Sequence, residues 1–207
     1  MENKILDLGL VDYQKALQLQ KDNIELIRSG SLESVLVFCR HYPVITLGRR
    51  ARIENIKTEI RSLAGRGIAV YPVDRGGDVT YHGPGQLVIY PIIHLAAYKK
   101  DIHFFLRRLE QTIITVLSEF EIKSYARAGF TGVWVGERKI CSIGICVRNW
   151  ISYHGLALNV SKSDLANFSL IKPCGMDIEM TSMETVLNRA INFIDVQKTF
   201  IRRFEYA

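Results

Sequence analysis

Residues 75–86 read RGGDVTYHGPGQ and place four glycines, a proline, a histidine and two charged residues within twelve positions. Because glycine has no Cβ, a ligand can lie directly against the main chain of such a stretch. Apolar runs at 68–73 and 87–93 predict two buried strands joined by this loop. Loops held between strands often carry binding residues. We therefore predict a substrate site here that includes Arg75 and His82; a simple hairpin connection is the alternative, and it explains neither side chain.

The rest of the chain is predicted as a mixture of helices and strands, from helical periodicity, capping residues and apolar runs. The predicted helices cover 12–30, 54–65 and 101–120, and a capping box at Thr181–Glu184 opens helical segments that run to the C-terminus. The predicted strands cover 34–39 and 44–47, followed from Thr131 onward by a meander of TGVWVG, KICSIGICV and WISYHGLALNV. This order predicts an α+β fold in which residues 1–207 form one domain, with a mixed or largely antiparallel sheet flanked by helices.

Composition narrows the class of protein without naming a partner. Hydrophobic residues make up 48% of the 207 and charged residues 23%, which is typical of a globular domain. The net charge of +6 suits either nucleic acid or an acidic protein partner, and charge alone leaves both open. There is no apolar run of about 20 residues, and the N-terminus is too polar for a signal peptide. We therefore expect a cytoplasmic protein that does not contact a membrane.

The four cysteines differ in their surroundings. Cys39, Cys141 and Cys146 lie in apolar runs, where cysteine usually acts as a small buried hydrophobe. Cys141 and Cys146 are five positions apart, which is not a strong zinc spacing, so no structural metal is predicted. Cys174 lies in the loop-like segment IKPCGM, where a substrate can reach it.

A nucleophilic Cys174 needs a neighbouring cation or base, because a free thiol has a pKa of about 8.5. The candidates are Lys139, His82 and His154. Lys139 lies in the turn GERKI, which on its own favours a position on the surface. Either histidine paired with a cysteine would make a cysteine hydrolase, although nothing nearby matches the local motifs of known cysteine proteases.

Six segments together resemble the lipoyl(octanoyl) transferase family. They are YQKALQLQ (13–20), HYPVITLGRR (41–50), RGGDVTYHGPGQLVIYP (75–91), GVWVGERKICSIGI (132–145), HGLALNV (154–160) and IKPCGM (171–176). The resemblance implies the fold of the catalytic domains of biotin and lipoate ligases. It also implies transfer of an octanoyl group from acyl carrier protein to a lysine of a lipoyl-domain protein, such as a 2-oxoacid dehydrogenase subunit or the glycine cleavage H protein.

The same resemblance implies roles for individual residues. Cys174 is the expected nucleophile, which carries the acyl group as a thioester, and Lys139 is expected to lower the pKa of its thiol and to handle protons. The implied substrate-binding residues are Arg75, Gly76, Gly77, Asp78, Val79, Thr80, Tyr81, His82, Ser142, Ile143, Gly144, Gly155, Leu156 and Ala157. No cofactor is implied, and a monomer is expected. Arg40 and Tyr42 depart from residues common in the family, which bears on contacts with the carrier protein more than on chemistry.

The chemistry agrees with this assignment. Exchange between two thioesters is nearly isoenergetic and the final step to an amide runs downhill, so no ATP is needed. The positive charge then suits acidic partner proteins, with Arg49 and Arg50 as candidates for steering them. Two alternatives remain: an ATP-dependent lipoate or biotin ligase, which needs no cysteine nucleophile, and a non-catalytic module that binds acidic partners or nucleic acid.

Overall fold

A mixed seven-stranded sheet forms the centre of the molecule in the computed structural model, which describes residues 3–173 and 178–204. The strands are β1 (Asn3–Val11), β2 (Ser34–His41), β3 (Val44–Leu47), β4 (Ala69–Pro72), β5 (Val79–His82), β6 (Gln86–Ile93), β7 (Tyr125–Arg127), β8 (Phe130–Val135), β9 (Arg138–Arg148) and β10 (Ile151–Asn159). The order in the large sheet is β1-β2-β6-β10-β9-β8-β7, and a small sheet has the order β4-β3-β5.

Most neighbouring strands are antiparallel; β1 with β2 and β3 with β4 are the parallel pairs. The helices are α1 (Tyr13–Arg28), α2 (Ile60–Gly65), α3 (Ile102–Glu119), α4 (Met183–Leu187) and α5 (Phe193–Arg203). The single α+β domain, with a mixed sheet flanked by helices, confirms the predicted fold class.

The apolar faces of the helices explain where they pack. On α3, Phe105, Leu109 and Ile113 follow the helical repeat and are fully buried against one face of the large sheet. The opposite face is covered by α1, which buries Ala16 and Ile24. An aspartate is the N-cap of each helix, Asp12 for α1 and Asp101 for α3. Its carboxylate accepts hydrogen bonds from two main-chain N–H groups of the first turn.

Several predicted elements need correction. The second half of the glycine-rich stretch is not loop, because Val79–His82 forms β5 and pairs antiparallel with β3. The helix predicted from residue 54 begins at Ile60, after a 3₁₀ turn at Ile53–Asn55. In the predicted capping box the N-cap is Ser182, whose hydroxyl accepts from the N–H of Thr185. Besides β5, the strands β1 and β7 were not predicted.

A local irregularity in β10 shapes the side of the sheet that faces α1. Pro91 of β6 has no N–H to donate, and pairing of β10 with β6 begins only at Leu156 and Ile89. Beside the interruption, the hydroxyl of Ser152 donates to the carbonyl of Pro91 and accepts from the N–H of Ile93. His154 adopts a φ of 55°, and its ring lies beside Tyr13 of α1.

Candidate active site

A cavity of about 740 Å³ opens between the large sheet, the small sheet, α1 and the first half of α3. Its polar lining is Tyr13, Arg50, Arg52, Glu54, Asn55, Arg75, Asp78, Thr80, His82, Tyr90, Thr131, Lys139, Ser142 and His154. Its apolar and glycine lining is Gly76, Gly77, Val79, Val88, Ile102, Leu106, Gly129, Phe130, Trp134, Ile143, Gly144, Ile145, Gly155, Leu156, Ala157 and Pro173. The cavity thus includes every residue of the three predicted substrate-binding segments except Tyr81.

Tyr81 lies on the other side of β5. Its ring is fully buried against Phe168, with the ring centroids 5.6 Å apart, and its hydroxyl accepts a hydrogen bond from Nδ2 of Asn167 at 2.9 Å. Alternation along the strand explains this position, since Thr80 and His82 face the cavity.

The first part of the glycine-rich stretch is fixed by the side chain of Arg75. This guanidinium is buried and donates to Thr46 three times, from Nε and Nη2 to Oγ1 at 3.1 and 2.9 Å and from Nη2 to the carbonyl at 2.7 Å. Its Nη1 donates to the carbonyl of Gly76 at 3.0 Å. Arginine thereby ties the loop to β3 through a planar group that lysine cannot imitate.

Main-chain hydrogen bonds hold the same loop from two sides. The N–H of Gly76 donates to the carbonyl of Ile145 on β9 at 2.8 Å. From the segment after β3, Arg49 donates to the carbonyl of Arg75 and Arg50 to that of Gly77, both at 3.0 Å. The loop is therefore a rigid wall of the cavity.

The predicted segments of β9 and β10 lie opposite each other in the floor of the cavity. Ser142 pairs with Ala157, and Gly144 pairs with Gly155. Both glycines leave room for neighbouring main chain, because a Cβ on Gly144 would lie 2.8 Å from the carbonyl oxygen of Gly76 and one on Gly155 would collide with that of Ile89. Neighbouring main chain therefore lies directly against the α-carbons of both glycines in the floor of the cavity.

Buried histidines and tyrosines line the α1 side of the cavity. His82 is packed against Tyr13 with ring centroids 6.1 Å apart, and its Nδ1 donates to Oε1 of Gln86 at 3.0 Å. Burial lowers the pKa of His82 to about 3, helped by His41 and Arg75. His82 is therefore neutral at pH 7, as is His41, whose pKa burial lowers to about 4.

His154 and Asp74 form a polar pair at the same wall. Nε2 of His154 donates to Oδ1 of Asp74 at 2.8 Å, and the hydroxyl of Tyr153 donates to Oδ2. The hydrogen bond from His154 holds the pKa of Asp74 well below its usual range, whereas burial lowers the pKa of His154 despite the carboxylate. The pair therefore consists of a neutral imidazole and an ionised carboxylate.

Lys139 lies at the start of β9 and is 3% exposed. The surface position favoured by its turn sequence is wrong, and the inward one is correct. Its Nζ lies 5.5 Å from the ring centroid of Trp134, within the range of a cation–π interaction. Its main chain is also paired, because its N–H donates to the carbonyl of Glu179 and its carbonyl accepts from Thr181, both at 2.9 Å.

The three cysteines predicted to be buried, Cys39, Cys141 and Cys146, are buried. Burial raises the pKa of the Cys39 and Cys141 thiols, with Lys139 opposing the effect at Cys141. Cys174 lies outside the described residues.

Neither predicted partner histidine lies beside one of the described cysteines. His82 bonds to Gln86, and His154 to Asp74 and Tyr13. It is His41 that approaches a thiol, with Nε2 3.5 Å from Sγ of Cys39, and its stronger partner is the hydroxyl of Tyr90 at 2.7 Å.

Sequence reasoning did not find Asp74, Tyr13 or Tyr90 as cavity or wall residues. Tyr13 and Tyr90 lie within segments that carry the family resemblance, and Asp74 directly precedes the glycine-rich stretch. Polar residues that interrupt a buried strand, such as Tyr90 in LVIYPII, were the available indication.

The profile of the family "Lipoyl protein ligase A/B catalytic domain" matches residues 12–205. The chain belongs to this family. It is 44% identical over 197 residues to a protein named octanoyltransferase from Solibacter usitatus, covering 95% of this chain and 89% of the relative. An octanoyltransferase from Thermoanaerobacter sp. is 43% identical over 185 residues, covering 88% and 80%. This member of the family is an enzyme, a transferase.

Solved structures of similar fold are ligases. Lipoate-protein ligase A bound with ATP superposes with a TM-score of 0.77 at 18% identity, covering 99% of this chain and 84% of the ligase. Biotin protein ligase from Aquifex aeolicus gives 0.56 at 11% identity, covering 98% and 67%. At these identities the likeness establishes the fold, which is the one that the sequence motifs implied.

Two further findings concern the described residues. In 3–173 and 178–204, no helix has both the length and the apolar character required to cross a membrane. Over the same ranges, no group of three or more His, Cys, Asp or Glu side chains is arranged to hold a metal ion.

Proposed function

We propose that this transferase moves an octanoyl group from acyl carrier protein to the ε-amino group of a lysine on a lipoyl domain, through a thioester on Cys174 and without ATP. Residues 1–207 act as one catalytic domain, as a monomer in the cytoplasm. The acceptors are subunits of 2-oxoacid dehydrogenases and the glycine cleavage H protein. No cofactor, nucleic acid or membrane takes part.

The observation that carries the proposal is that described residues on both sides of Cys174 lie at Lys139 or at the cavity that it lines. Pro173, the residue directly before Cys174, lines the same cavity as Lys139. After the segment, Glu179 and Thr181 hydrogen-bond to the main chain of Lys139 at 2.9 Å. These flanking residues thus lie beside this buried lysine or its cavity, which supports Cys174, the residue after Pro173, as the nucleophile.

In the proposed first step, the Cys174 thiolate attacks the carbonyl carbon of the octanoyl thioester on the carrier protein. A bond forms between this carbon and the Cys174 sulfur, and the carrier's thiolate leaves with the electron pair of its broken C–S bond and takes the proton of the Lys139 ammonium, which becomes an amine. Lys139 as ammonium favours the Cys174 thiolate by Coulomb attraction.

In the second step the acceptor's amine attacks the same carbon, the amide C–N bond forms and the Cys174 thiolate leaves. The proton lost from nitrogen passes to Lys139, which at that stage is an amine. The attacking lysine must first be neutral to be nucleophilic, so a positioned base is required.

The cavity suits an acyl chain as substrate. Ile143, Leu156 and Ala157 supply apolar surface, and burial of each CH₂ contributes about 0.8 kcal/mol. The glycine-rich wall from Arg75 to Asp78, together with Gly144 and Gly155, lets the chain lie against main chain. Val79, Thr80, His82 and Ser142 complete the proposed substrate-binding set, and Tyr81 supports β5 from behind.

The test is intact-protein mass spectrometry after incubation with octanoyl-acyl carrier protein in the absence of ATP. We expect one octanoyl group on the wild type, released by hydroxylamine and passed to an added lipoyl domain, and none on Cys174→Ser. Cys146→Ser is the matched control and should retain the adduct, because Cys146 is a buried thiol. An adduct that persists on Cys174→Ser would refute the assignment. Octanoylation of the lipoyl domain only with free octanoate and ATP would establish a ligase instead.

A further inference from the structure

Glu110 is a carboxylate on the buried side of α3 and is 1% exposed. Its Oε1 accepts a hydrogen bond from the N–H of Gly132 on β8 at 2.8 Å, and its Oε2 is paired with Nη1 of the half-exposed Arg107. Burial of a charge is costly, and an apolar residue at such a helix position generally stabilises as well or better. A role other than packing is therefore worth seeking for this carboxylate.

The end of the Lys139 side chain lies against Gly132, the residue whose N–H binds Glu110. A Cβ built on Gly132 would lie 2.5 Å from Cε and 3.1 Å from Nζ of Lys139, and 2.5 Å from the carbonyl oxygen of Cys141. The φ of Gly132 is +128°, a conformation that residues with a side chain rarely adopt. The aliphatic end and the nitrogen of Lys139 thus pack directly on a bare α-carbon.

Gly132 thus contacts both side chains: its N–H binds the carboxylate of Glu110, and its α-carbon lies against the end of the Lys139 side chain. Both act electrostatically on the same thiol, that of Cys141, whose pKa Lys139 lowers and Glu110 raises. Lys139 also faces the ring of Trp134.

We propose that Glu110 and Gly132 are positioning residues for Lys139. Glu110 fixes the main chain of Gly132, and Gly132 provides the space in which the lysine side chain lies. This inference rests on the proposed function in one respect, namely that Lys139 takes part in acyl transfer.

The first test compares two glycines of the same hairpin, which joins β8 to β9. Gly132→Ala places a methyl group where Cε of Lys139 lies, whereas Gly136→Ala adds one where no atom lies within 4 Å, also at a positive φ. We expect Gly132→Ala to slow transfer of octanoyl from the preformed thioester to a lipoyl domain at least 100-fold. Gly136→Ala should stay within threefold of the wild type. Melting temperatures measured in parallel show whether each variant is folded.

The second test separates the hydrogen bond of Glu110 from its charge and needs no substitution at a glycine. Glu110→Gln keeps an acceptor for the N–H of Gly132 but removes the negative charge, whereas Glu110→Leu removes both.

For Glu110→Gln we expect transfer from the preformed thioester to stay within about threefold of the wild type, because the amide oxygen can still accept from the N–H of Gly132. Glu110→Leu should lose at least tenfold in the same rate, because nothing then fixes the main chain on which Lys139 lies. The rate at which each variant forms the thioester and its melting temperature are measured in parallel, so a general structural loss is distinguished from a loss at Lys139. The same lipoyl domain is used throughout, so a difference between variants reports on the transferase.

Different results would refute the proposed function and the positioning role of Glu110 and Gly132. If the wild type forms no octanoyl thioester, the proposed function is wrong. If the wild type forms and transfers it, but both Glu110→Leu and Gly132→Ala transfer at the wild-type rate per folded molecule, Glu110 merely joins α3 to β8 and the positioning role is refuted.

Discussion

Nε2 of His154 donates to Oδ1 of Asp74 at 2.8 Å, although the imidazole is 2% exposed and the carboxylate 46% exposed. The bond joins the strand β10 to the residue directly before the glycine-rich wall. Because Asp74 is held ionised and His154 neutral, this contact between a floor strand and a wall of the cavity depends on pH. The other two histidines of this wall, His41 and His82, are also buried in their neutral form.

We predict that stability falls steeply as the pH drops below about 6.5. His41 and His82 titrate near 6.5 in the unfolded chain but at about 4 and 3 in the folded protein, so the unfolded state binds more protons within this window. Each histidine then contributes a loss of about 1.4 kcal/mol per pH unit. Asp74 acts in the same direction at lower pH, since its folded pKa is depressed and its contribution is lost as pH falls.

Urea unfolding between pH 7.5 and 4.5 measures this slope. His82→Asn keeps a donor near the position of Nδ1 and removes the titration, so its stability should depend less on pH, by about 1 kcal/mol per unit. His103→Asn, at an exposed position on α3, is the control and should follow the wild type. Parallel slopes for His82→Asn and the wild type would show that His82 is not buried neutral.

Glycine substitutions are predicted to separate stability from activity. Gly155→Ala should unfold the protein or cost several kcal/mol, because its Cβ would meet the carbonyl of Ile89 within a central strand. Gly144→Ala meets the carbonyl of Gly76 at 2.8 Å, so we expect it to displace the glycine-rich loop and slow octanoyl transfer with a smaller loss of stability.

Gly65 in α2 is the control for both substitutions, because a Cβ there has no atom within 4 Å. Gly65→Ala should be neutral or stabilise by about 0.5–1 kcal/mol. Thermal melting and single-turnover transfer give the two readouts, and equal losses of stability in Gly144→Ala and Gly155→Ala would contradict the distinction.

The pairing of Arg75 with Thr46 is predicted to be strongly coupled. Thr46→Val removes the hydroxyl that accepts from Nε and Nη2, and we expect a loss of about 1.5–3 kcal/mol because the guanidinium is buried. Arg75→Lys should lose a similar amount, and the double variant less than the sum. A double-mutant cycle by urea unfolding measures the coupling. Thr80→Val, opposite Thr46 on β5, should change stability little; additive losses at 46 and 75 would refute the coupling.

The floor of the cavity is predicted to set the length of the acyl chain. Ala157 lines the cavity beside Ser142, so Ala157→Leu should reduce transfer of octanoyl groups at least tenfold while sparing butanoyl groups. Butanoyl and octanoyl carrier proteins compared in the same assay give the ratio. Leu158→Met, which repacks the apolar core on the other face of β10, should leave this ratio unchanged. An equal loss with both donors would show that the acyl chain does not lie against Ala157.

Much of the fold followed from periodicity, because its buried strands and amphipathic helices have strong patterns. The strand β1 was missed although Leu6, Leu8 and Leu10 alternate with Asp7 and Gly9. It is an edge strand, exposed at most positions, and its pairing with β2 shifts register between Asp7 and Leu10. β5 was missed because glycine and proline on both sides of VTYH dominate the sequence. Local pattern cannot report the long-range pairing with β3 that makes this segment a strand.

The candidate site was predictable only in part. Its main-chain segments were found from glycine content and family motifs, and all but Tyr81 line one cavity. The direction of the Lys139 side chain was not available from its turn, since it depends on the space left by Gly132 and on the returning chain at Glu179 and Thr181. Contacts between residues distant in sequence, such as Glu110 and Gly132, cannot be predicted from the local spacing of residue types.

The hydrogen bond from the N–H of Gly76 to the carbonyl of Ile145 bears on the solubility of the protein as well as on the substrate site. β8 pairs with β9 only as far as Cys141, so among the residues that the structure describes no strand lies beside the later part of β9 on that side. Unpaired strand edges are places where protein molecules join into aggregates. The glycine-rich loop occupies this edge, and the element proposed to hold the acyl chain thereby also shields the sheet from pairing with a second molecule.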